Sequence, residues 1–257
     1  MYDLCEISVK EASEFVRLHH YSKVMPRLMK LALGGFRDGE LKAVITFGWG
    51  VRPLHTIRRL FPSLTAADYF EIGKMCLLDS EPRTSETQFI KQVLAEVRRR
   101  YPACKLIFTW ADAIWGKPGY VYQAANFLYG GFIWTDVYRD EKGRRVHPRQ
   151  LRGAWAEHGV QTQRRPNEQD LKTLGWTHIF GKQFRYIYFL CGHAERKRLL
   201  RESTVLWIRD YPKHCDLQWK VSAGKGSRVN CEQPMFEGAV QFRRPAPITN
   251  DSQTLVL

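Results

Sequence analysis

Apolar and polar positions change period several times along the chain, and each change marks a predicted element. Short apolar or alternating runs bounded by turn residues are typical of β-strands. Seven such runs are present, at 4–9, 30–36, 41–49, 69–78, 106–110, 132–138 and 183–191. The Asp38-Gly39 pair separates the second run from the third and predicts a tight hairpin turn there.

Helical spacing of apolar residues marks three further segments, and a fourth segment is short and charged. The predicted helices cover 10–20, 86–100 and 120–129, with 195–201 as helix or coil. The second is the best defined, because one of its faces is apolar throughout and Ser85 with Gln88 fits a capping box at its start. Gly130-Gly131 is expected to stop the third. Residues 50–69 contain two prolines and predict a loop with room for a short helix.

This order of elements predicts an α/β (α+β) fold, built on a single mixed, mostly antiparallel sheet with flanking helices. We place one domain at residues 1–220, and it includes an irregular basic insertion at about 140–175. Residues 221–257 are rich in Gly, Ser, Pro and Asn, and we expect them to form a loose C-terminal tail.

Positive charge is concentrated in one part of the chain. The 257 residues include 40 Lys or Arg and 26 Asp or Glu, which gives a formal net charge of +14. Residues 138–201 alone hold 15 basic and 6 acidic side chains. Such a segment either tracks phosphates, with nucleic acid as the first candidate partner, or is a solvated surface that aids solubility. The candidate phosphate contacts are Arg144, Arg145, Arg149 and Arg152, since arginine can hold phosphate bidentately.

Composition argues against several other classes of protein. Hydrophobic residues make up 44% of the chain, which is enough for a sizeable core. No apolar run approaches the roughly 20 residues of a membrane-spanning helix, and the acidic first residues predict no secretory signal. The six cysteines are widely spaced without a C-x-x-C pair, which argues against a disulfide framework or zinc ribbon and favours a reducing cytoplasm.

Two polar segments near predicted helix ends are candidates for chemistry. Arg83, Thr84 and Ser85 lie where a strand leads into the start of the 86–100 helix, and the free amides at a helix start can bind a phosphate. The alternative is a capped helix with nothing bound. His20 and Tyr21 follow the first helix, and they can supply a base, a metal ligand or a substrate contact, or else be structural.

A third candidate site begins at Asp112, at the end of a predicted buried strand, where open α/β sheets place ligands. Tyr122 and Asn126 are four residues apart, so the predicted helix would present both on one face. A carboxylate can act as a base toward an exocyclic amine, and a tyrosine can protonate a leaving group. Gln123 and Asn126 could hydrogen-bond an adenine edge or each other. In the alternative, Asp112 caps a turn and the tyrosines belong to the core.

Five segments closely resemble the Mom family of phage DNA-modification proteins. They are LHHYSK at 18–23, IGKMCLLDSEPRTSETQFI at 72–90, GKPGYVYQAANFLYGG at 116–131, VYRDEKGRRVHP at 137–148 and GKQFRYIYFL at 181–190. The resemblance covers about residues 15–220. It implies a Gcn5-related N-acyltransferase-like fold. It also implies an enzyme that converts the N6 amine of adenine in DNA to a carbamoylmethyl derivative and so protects phage DNA from host restriction.

The same resemblance implies a functional set, a donor and partners. The set is His20, Tyr21, Lys74, Ser85, Asp112 and Tyr122. Acetyl-CoA is the donor usually proposed for the family, and an iron-dependent step is sometimes invoked. The chain lacks the glycine-rich pyrophosphate loop of ordinary acyltransferases, so an activated glycyl donor such as an aminoacyl-tRNA is an alternative. The implied partner is double-stranded DNA with the adenine flipped out, in the cytoplasm of the infected or lysogenic bacterial host, with no membrane.

Two other functions remain open. An ordinary acyl-CoA-dependent N-acyltransferase, acting on a small amine or a protein, would explain the order of elements but not the arginine-rich segment. A non-catalytic DNA-binding protein would explain the charge but not the polar cluster at the end of the strand.

Overall fold

The computed structural model describes residues 1–26, 28–50, 53–157, 164–224 and 226–237, with only the backbone at residues 53–55, 149 and 152. The strands are β1 (Asp3–Glu6), β2 (Met29–Arg37), β3 (Glu40–Gly48), β4 (Tyr69–Leu77), β5 (Leu106–Asp112), β6 (Leu128–Arg139), β7 (Arg145–Val146), β8 (Thr177–Phe189), β9 (Trp219–Gly224) and β10 (Ser227–Cys231). The helices are α1 (Val9–His19), α2 (Pro53–Leu60), α3 (Ser85–Arg100), α4 (Tyr120–Ala124), α5 (Leu151–Glu157), α6 (Glu168–Leu174) and α7 (His193–Glu202).

The strands form one sheet in the order β1-β2-β3-β4-β5-β8-β6-β7. All the pairs in that path are antiparallel except β4 with β5. β9 pairs with β8 beyond the point where β5 ends, and β10 pairs with β9. The predicted single mixed sheet with flanking helices is therefore confirmed.

The parallel pair β4–β5 diverges. Its pairing covers residues 69–71 of β4 against 106–108 of β5. Beyond that point β4 stays paired with β3, and β5 stays paired with β8. The sheet therefore opens between the carboxyl-terminal halves of the two strands, with Lys74 on one side and Asp112 on the other.

Side-chain alternation along the strands gives the sheet two buried faces. The apolar stripe of α3 covers one face, and Phe89, Ile90 and Val93 in it are fully buried. Helices α2 and α7 cover part of the other face, through Ile57 and Leu199. Helix α1 packs beside them. Burial of each large apolar side chain contributes roughly 1.5–3 kcal/mol, so the α3 face is a main source of stability.

The prediction that the third helix runs to residue 129 and is stopped by Gly130-Gly131 was wrong. Helix α4 ends at Ala124, and Gly130 and Gly131 lie inside β6 rather than stopping a helix. A Cβ on Gly130 would lie 2.1 Å from the Trp207 ring, so the glycine allows the ring to pack on the strand. Gly131 has φ +80° at a break in the β6–β8 register, which is a conformation that favours glycine.

The predicted loose tail also needs correction, because the boundary at 220 falls inside β9. Residues 219–231 form the β9–β10 hairpin, and Gly224 and Gly226 both have the positive φ that its turn needs. The glycine-rich composition therefore reflects a turn in this part. The basic insertion at about 140–175 contains β7, α5 and α6. Residues 238–257 lie outside the described part of the chain.

Candidate active site

The segment after α1 lies over the opening between β4 and β5. His20 is 8% exposed, and its ring stacks on Tyr21 at 4.2 Å between centroids. His20 Nδ1 lies 2.9 Å from both the backbone nitrogen and the carbonyl oxygen of Ser22, so it accepts the N–H in one tautomer of the ring and donates to the carbonyl in the other. Burial, with the nearby Lys74 and Lys117 charges, lowers the pKa of His20 to about 3. His20 is therefore a neutral ring near pH 7.

Two lysines meet this segment. Lys74 Nζ donates to Ser22 Oγ at 3.0 Å. Lys117 Nζ lies 3.8 Å from the centre of the Tyr21 ring, a cation–π contact. Burial lowers the pKa of Lys117 to about 7, against the opposing effect of the Asp112 charge. Sequence reasoning missed Lys117, although its position between Gly116 and Pro118 in the family-like segment was a signal.

The backbone of β4 allows the chain after α1 to come this close. Thr46 pairs with Lys74 and Phe47 with Ile72, so Gly73 bulges out of the β3–β4 ladder. A Cβ at Gly73 would lie 2.5 Å from the Pro26 ring. The glycine therefore lets residues 20–26 lie on β4 beside Lys74.

Asp112 caps a turn, as one of the two readings of the sequence predicted, and its second oxygen remains directed to other side chains. Its Oδ1 accepts the backbone N–H of Ile114 at 3.2 Å and so caps a 3-10 turn. Its Oδ2 faces Arg145 Nη2 at 3.5 Å. Burial, followed by the Asp112 charge, raises the pKa of Tyr21 well above its ordinary value. The carboxylate thus caps a turn and also belongs to a cluster of side chains at the opening, which includes His20, Tyr21, Lys74, Lys117 and Arg145.

Tyr122 approaches the same opening from the α3 face of the sheet. Its ring lies 5.4 Å from that of Phe127 and 5.7 Å from that of Tyr186. Burial raises its pKa, and a hydrogen bond with Thr109 acts in the opposite direction. Tyr122 is also close enough to contribute to the raised pKa of Tyr21.

The predicted shared face of Tyr122 and Asn126 was wrong. Helix α4 ends before Asn126, which is exposed and has φ +64°. Asparagine is among the residues that tolerate this left-handed conformation at the end of a helix. The spacing of four residues assumed a longer helix than the chain forms.

Gln123 occupies a structural position instead of facing the opening. It is 8% exposed, and its amide nitrogen donates to the carbonyls of Pro212 at 2.9 Å and Pro118 at 3.3 Å. The Tyr186 hydroxyl lies 3.1 Å from the same nitrogen. These contacts engage the donors that a base edge would need, so the structure does not support base reading by Gln123.

The predicted phosphate site before α3 is reduced to two side chains. Arg83 and Thr84 are exposed, but Ser85 is 2% exposed and its hydroxyl is hydrogen-bonded with Tyr2. Thr84, with φ +76°, is the N-cap, and its side chain makes no capping bond within the described chain. The predicted capping box of Ser85 and Gln88 was therefore wrong, because the helix begins at Ser85 itself.

The four arginines that were predicted as phosphate contacts do not all point the same way. Arg144 points outward to Asp140, with 2.7 Å between Nε and Oδ2. Arg145, its neighbour in the chain, points inward, and its side chain is only 14% exposed. It was predicted as a surface phosphate contact and instead joins the cluster at Asp112. The side chains of Arg149 and Arg152 lie outside the described residues.

Neither an iron site nor a membrane-spanning segment is found in the part of the chain that is described. In that part, no three His, Cys, Asp or Glu side chains converge in a way that could hold a metal ion, so the residues present do not fit iron. The described helices include none with the length and apolar character to cross a bilayer.

Comparison with known families identifies the chain. A family model described as the Mom protein family matches residues 2–213. The protein named methylcarbamoylase Mom, from Escherichia phage Mu, is 30% identical over 213 residues, which cover 80% of this chain and 82% of that protein. The chain belongs to the Mom protein family, so the predicted family is confirmed.

Solved acetyltransferase structures give a weaker likeness. The Escherichia coli acetyltransferase YhbS in complex with CoA has a TM-score of 0.41 and 11% identity, with 84% of this chain and 92% of that chain covered. An aminoglycoside 6'-N-acetyltransferase from Enterococcus faecium has a TM-score of 0.34 and 11% identity, with 74% and 98% covered. Scores below 0.5 support no statement about the donor or the substrate.

Proposed function

We propose that this protein is a DNA-modifying transferase that converts the N6 amine of adenine to a carbamoylmethyl derivative, which protects phage DNA from host restriction. The observation that carries the proposal is that five residues named from sequence resemblance meet at one opening of the sheet. They are His20, Tyr21, Lys74, Asp112 and Tyr122. Membership of the Mom protein family, with a phage Mu relative named methylcarbamoylase, supports the same chemistry.

Asp112 and Tyr122 are the proposed base and acid. Asp112 Oδ2 accepts a hydrogen bond from the target amine and takes its proton as the nitrogen attacks the carbonyl carbon of the donor. A glycyl donor then gives an N6-glycyl amide, an isomer of the carbamoylmethyl product, which forms when the glycyl amine attacks C6 of the ring and displaces the amide nitrogen. An acetyl donor would give an N6-acetyl amide, which lacks the second nitrogen of the product. The raised pKa of Tyr122 keeps its hydroxyl protonated near neutral pH, so it can protonate the leaving group. A raised pKa likewise keeps Tyr21 a neutral donor beside Asp112.

His20 and Lys74 hold residues 21 and 22 in position. The neutral His20 ring is hydrogen-bonded to the Ser22 backbone and supports the Tyr21 ring by stacking. Lys74, on β4, donates a hydrogen bond to the Ser22 hydroxyl and so holds it in place. Holding the groups of a site rigidly lowers the cost of ordering them in the transition state.

The donor is an activated acyl or glycyl group, carried by CoA or by tRNA. Arg83, Thr84 and the amides at the start of α3 would hold its phosphates, and Ser85 would not, because it is buried against Tyr2. Titration calorimetry with acetyl-CoA tests this part, and Arg83→Ala should weaken binding where Ser85→Ala does not. No heat with acetyl-CoA, together with turnover of a glycyl donor, would favour the tRNA alternative.

The DNA partner would meet the basic segment at 138–201. Many of its arginines pair with acids, such as Arg164 with Asp170 and Arg165 with Asp136. Those two guanidinium groups are 51% and 63% exposed, and ion pairs at such exposure are weak enough to exchange for phosphate. The target adenine would be flipped out of the duplex to reach Asp112, in the cytoplasm of the bacterial host.

Mass spectrometry of nucleosides tests the proposal. DNA from bacteria that express the chain is digested to nucleosides and compared with DNA from cells that carry an empty vector. A carbamoylmethylated deoxyadenosine found with the chain alone supports the proposal. Unmodified DNA, combined with acylation of a small amine or a protein by the purified chain, would favour an ordinary acyltransferase instead.

A further inference from the structure

The inward arginine of the cluster is held loosely. Arg145 Nη1 lies 3.4 Å from Ser22 Oγ, and Nη2 lies 3.5 Å from Asp112 Oδ2. Charge-assisted hydrogen bonds of arginine are normally about 2.7–2.9 Å long. Its neighbour Arg144 reaches that range with Asp140, at 2.7 Å. Among the residues that the structure describes, Asp112 at 3.5 Å is thus the acid that faces this largely buried guanidinium.

Two buried N–H groups at this place lack acceptors. Arg145 Nε and Trp115 Nε1 are buried, and neither has a hydrogen-bond partner among the residues that the structure describes. The two side chains are in contact, with 5.2 Å between the guanidinium carbon and the centre of the Trp115 ring. An unsatisfied buried donor costs about 1–3 kcal/mol, so such donors in contact point to a missing acceptor.

The surrounding charge is positive. Lys74 Nζ and Arg145 Nη1 both approach Ser22 Oγ, so two cations meet at one hydroxyl. Lys117 is a third basic side chain nearby, in contact with the Tyr21 ring. Asp112 is the acid of this cluster, and Glu86 is the next acid near Lys117. A partly enclosed surplus of cationic donors is suited to a bound anion.

We propose that Arg145 and Trp115, with Ser22 and Lys74, bind a phosphate group of a substrate. The inference deepens the proposed function and rests on it in one respect, because it assumes that the reaction takes place at this cluster. The phosphate would come from the DNA backbone next to the flipped adenine or from the carrier of the donor, since the activated acyl or glycyl group has no free carboxylate. The Nε and Nη groups of Arg145 can meet two oxygens of a phosphate side by side.

Anion binding to the purified full-length protein tests the proposal without any transfer reaction. The probes are inorganic phosphate, dimethyl phosphate for the diester of the DNA backbone, pyrophosphate for the diphosphate of CoA, and acetate as a carboxylate for comparison, each titrated while the unfolding temperature is recorded. An anion that binds the folded state raises that temperature in a saturable way. Preference for dimethyl phosphate would assign the site to DNA, and preference for pyrophosphate would assign it to the carrier of the donor.

Four variants locate the binding. Arg145→Gln should weaken the preferred anion about 10–100-fold, since hydrogen bonds to charged groups contribute about 1.5–3 kcal/mol. Trp115→Phe keeps the ring, loses the N–H and should weaken the anion about 3–10-fold. Arg145→Lys keeps the charge without the fork and should be intermediate, which also separates lost binding from lost folding. Arg99→Gln, which changes an exposed arginine paired with Glu96 on α3, is the control and should bind the anion as the wild type does.

Two results would overturn the inference. One is a wild-type protein that none of the four anions stabilises, and the other is anion binding that Arg145→Gln and Trp115→Phe leave unchanged. Arg145-dependent binding in a protein that does not modify DNA would leave the anion site standing and overturn the proposed function. DNA modification by a protein that shows no Arg145-dependent anion binding would overturn the anion site and leave the proposed function standing.

Discussion

The guanidinium of Arg145 faces the carboxylate of Asp112, with 3.5 Å between Nη2 and Oδ2, although the two residues are 33 positions apart in the chain. The two-residue strand β7 brings Arg145 to this place through its pairing with β6. Arg144 precedes β7, and its backbone N–H and its Nε both donate to Asp140, so its side chain is directed away from Asp112. One of two adjacent arginines thus becomes part of the cluster around Asp112.

Tyr122→Phe should reduce DNA modification about 10²–10⁴-fold, the usual contribution of a general acid. The packing on Phe127 and Tyr186 is kept, because only the hydroxyl is removed. Rates of modification by purified protein on unmodified DNA measure the effect. Tyr188→Phe removes a hydroxyl from the same core and serves as the control. Equal rates in the two variants would mean that Tyr122 is only a packing residue.

His20 should make the protein lose stability in acid. Its pKa falls from an ordinary 6.5 to about 3 on folding, so the unfolded chain binds the proton more readily between those values. The contribution to stability is fully present above pH 6.5 and is lost as the pH falls toward 3. At pH 4.5 the loss is about 2–3 kcal/mol, at 1.36 kcal/mol per unit of pKa.

His20→Asn should lack that part of the acid sensitivity, because an amide has no proton to gain in this range. Urea unfolding of the variant and the wild type at pH 7.5 and 4.5 measures the difference. His19→Asn, at an exposed position in the last turn of α1, is the control and should follow the wild type. The same loss of stability in His20→Asn as in the wild type would contradict the buried neutral ring.

Gln123→Leu should destabilise the fold by about 1–3 kcal/mol, because it removes the donor shared by Pro118, Pro212 and Tyr186. The measurement is the free energy of unfolding in urea. Gln169→Leu, on the exposed surface of α6, should change it little. A Gln123→Leu protein of unchanged stability that modifies adenines in different sequence contexts would restore the base-reading role.

Arg144→Ala should weaken DNA binding by the same factor for every sequence. Log affinity falls with log salt at about −0.9 per phosphate contact, so the loss of one contact should reduce the slope by about 1. Arg99→Ala is the control, since Arg99 is also exposed and paired with an acid but lies outside residues 138–201. Equal slopes in Arg144→Ala and the wild type would mean that this arginine faces solvent in the complex.

Local patterns predict the parts of the fold that local physics determines. The apolar stripe of α3 repeats every three to four residues, and its members are buried as expected. The Asp38-Gly39 turn also forms between β2 and β3, because both residues accept positive φ. The glycines at 130 and 131 were misread because their reasons are distant, such as the Trp207 ring packed on Gly130. Those at 224 and 226 belong to a local hairpin turn that was misread as part of a loose tail.

The members of the candidate site were named from the sequence, but their arrangement was not. The family resemblance joined His20, Tyr21, Lys74, Asp112 and Tyr122 into one set, since no spacing in the sequence joins them. The inward turn of Arg145 depends on the pairing of β7 with β6, a contact that a sequence pattern does not specify. Lys117 lies beside the candidate site because the sheet opens between β4 and β5. The pairing of all the strands together determines that opening.

The content of modified deoxyadenosine in DNA from cells that express Asp112→Asn tests the central claim most directly. Asp112→Asn keeps the size of the side chain and removes the charge that is to act as base, while Asp38→Asn makes the same change in the exposed turn between β2 and β3. We expect wild-type and Asp38→Asn proteins to give equal amounts of carbamoylmethylated deoxyadenosine, and Asp112→Asn to give about 100-fold less or none. Wild-type levels with Asp112→Asn, at equal expression, would contradict the account.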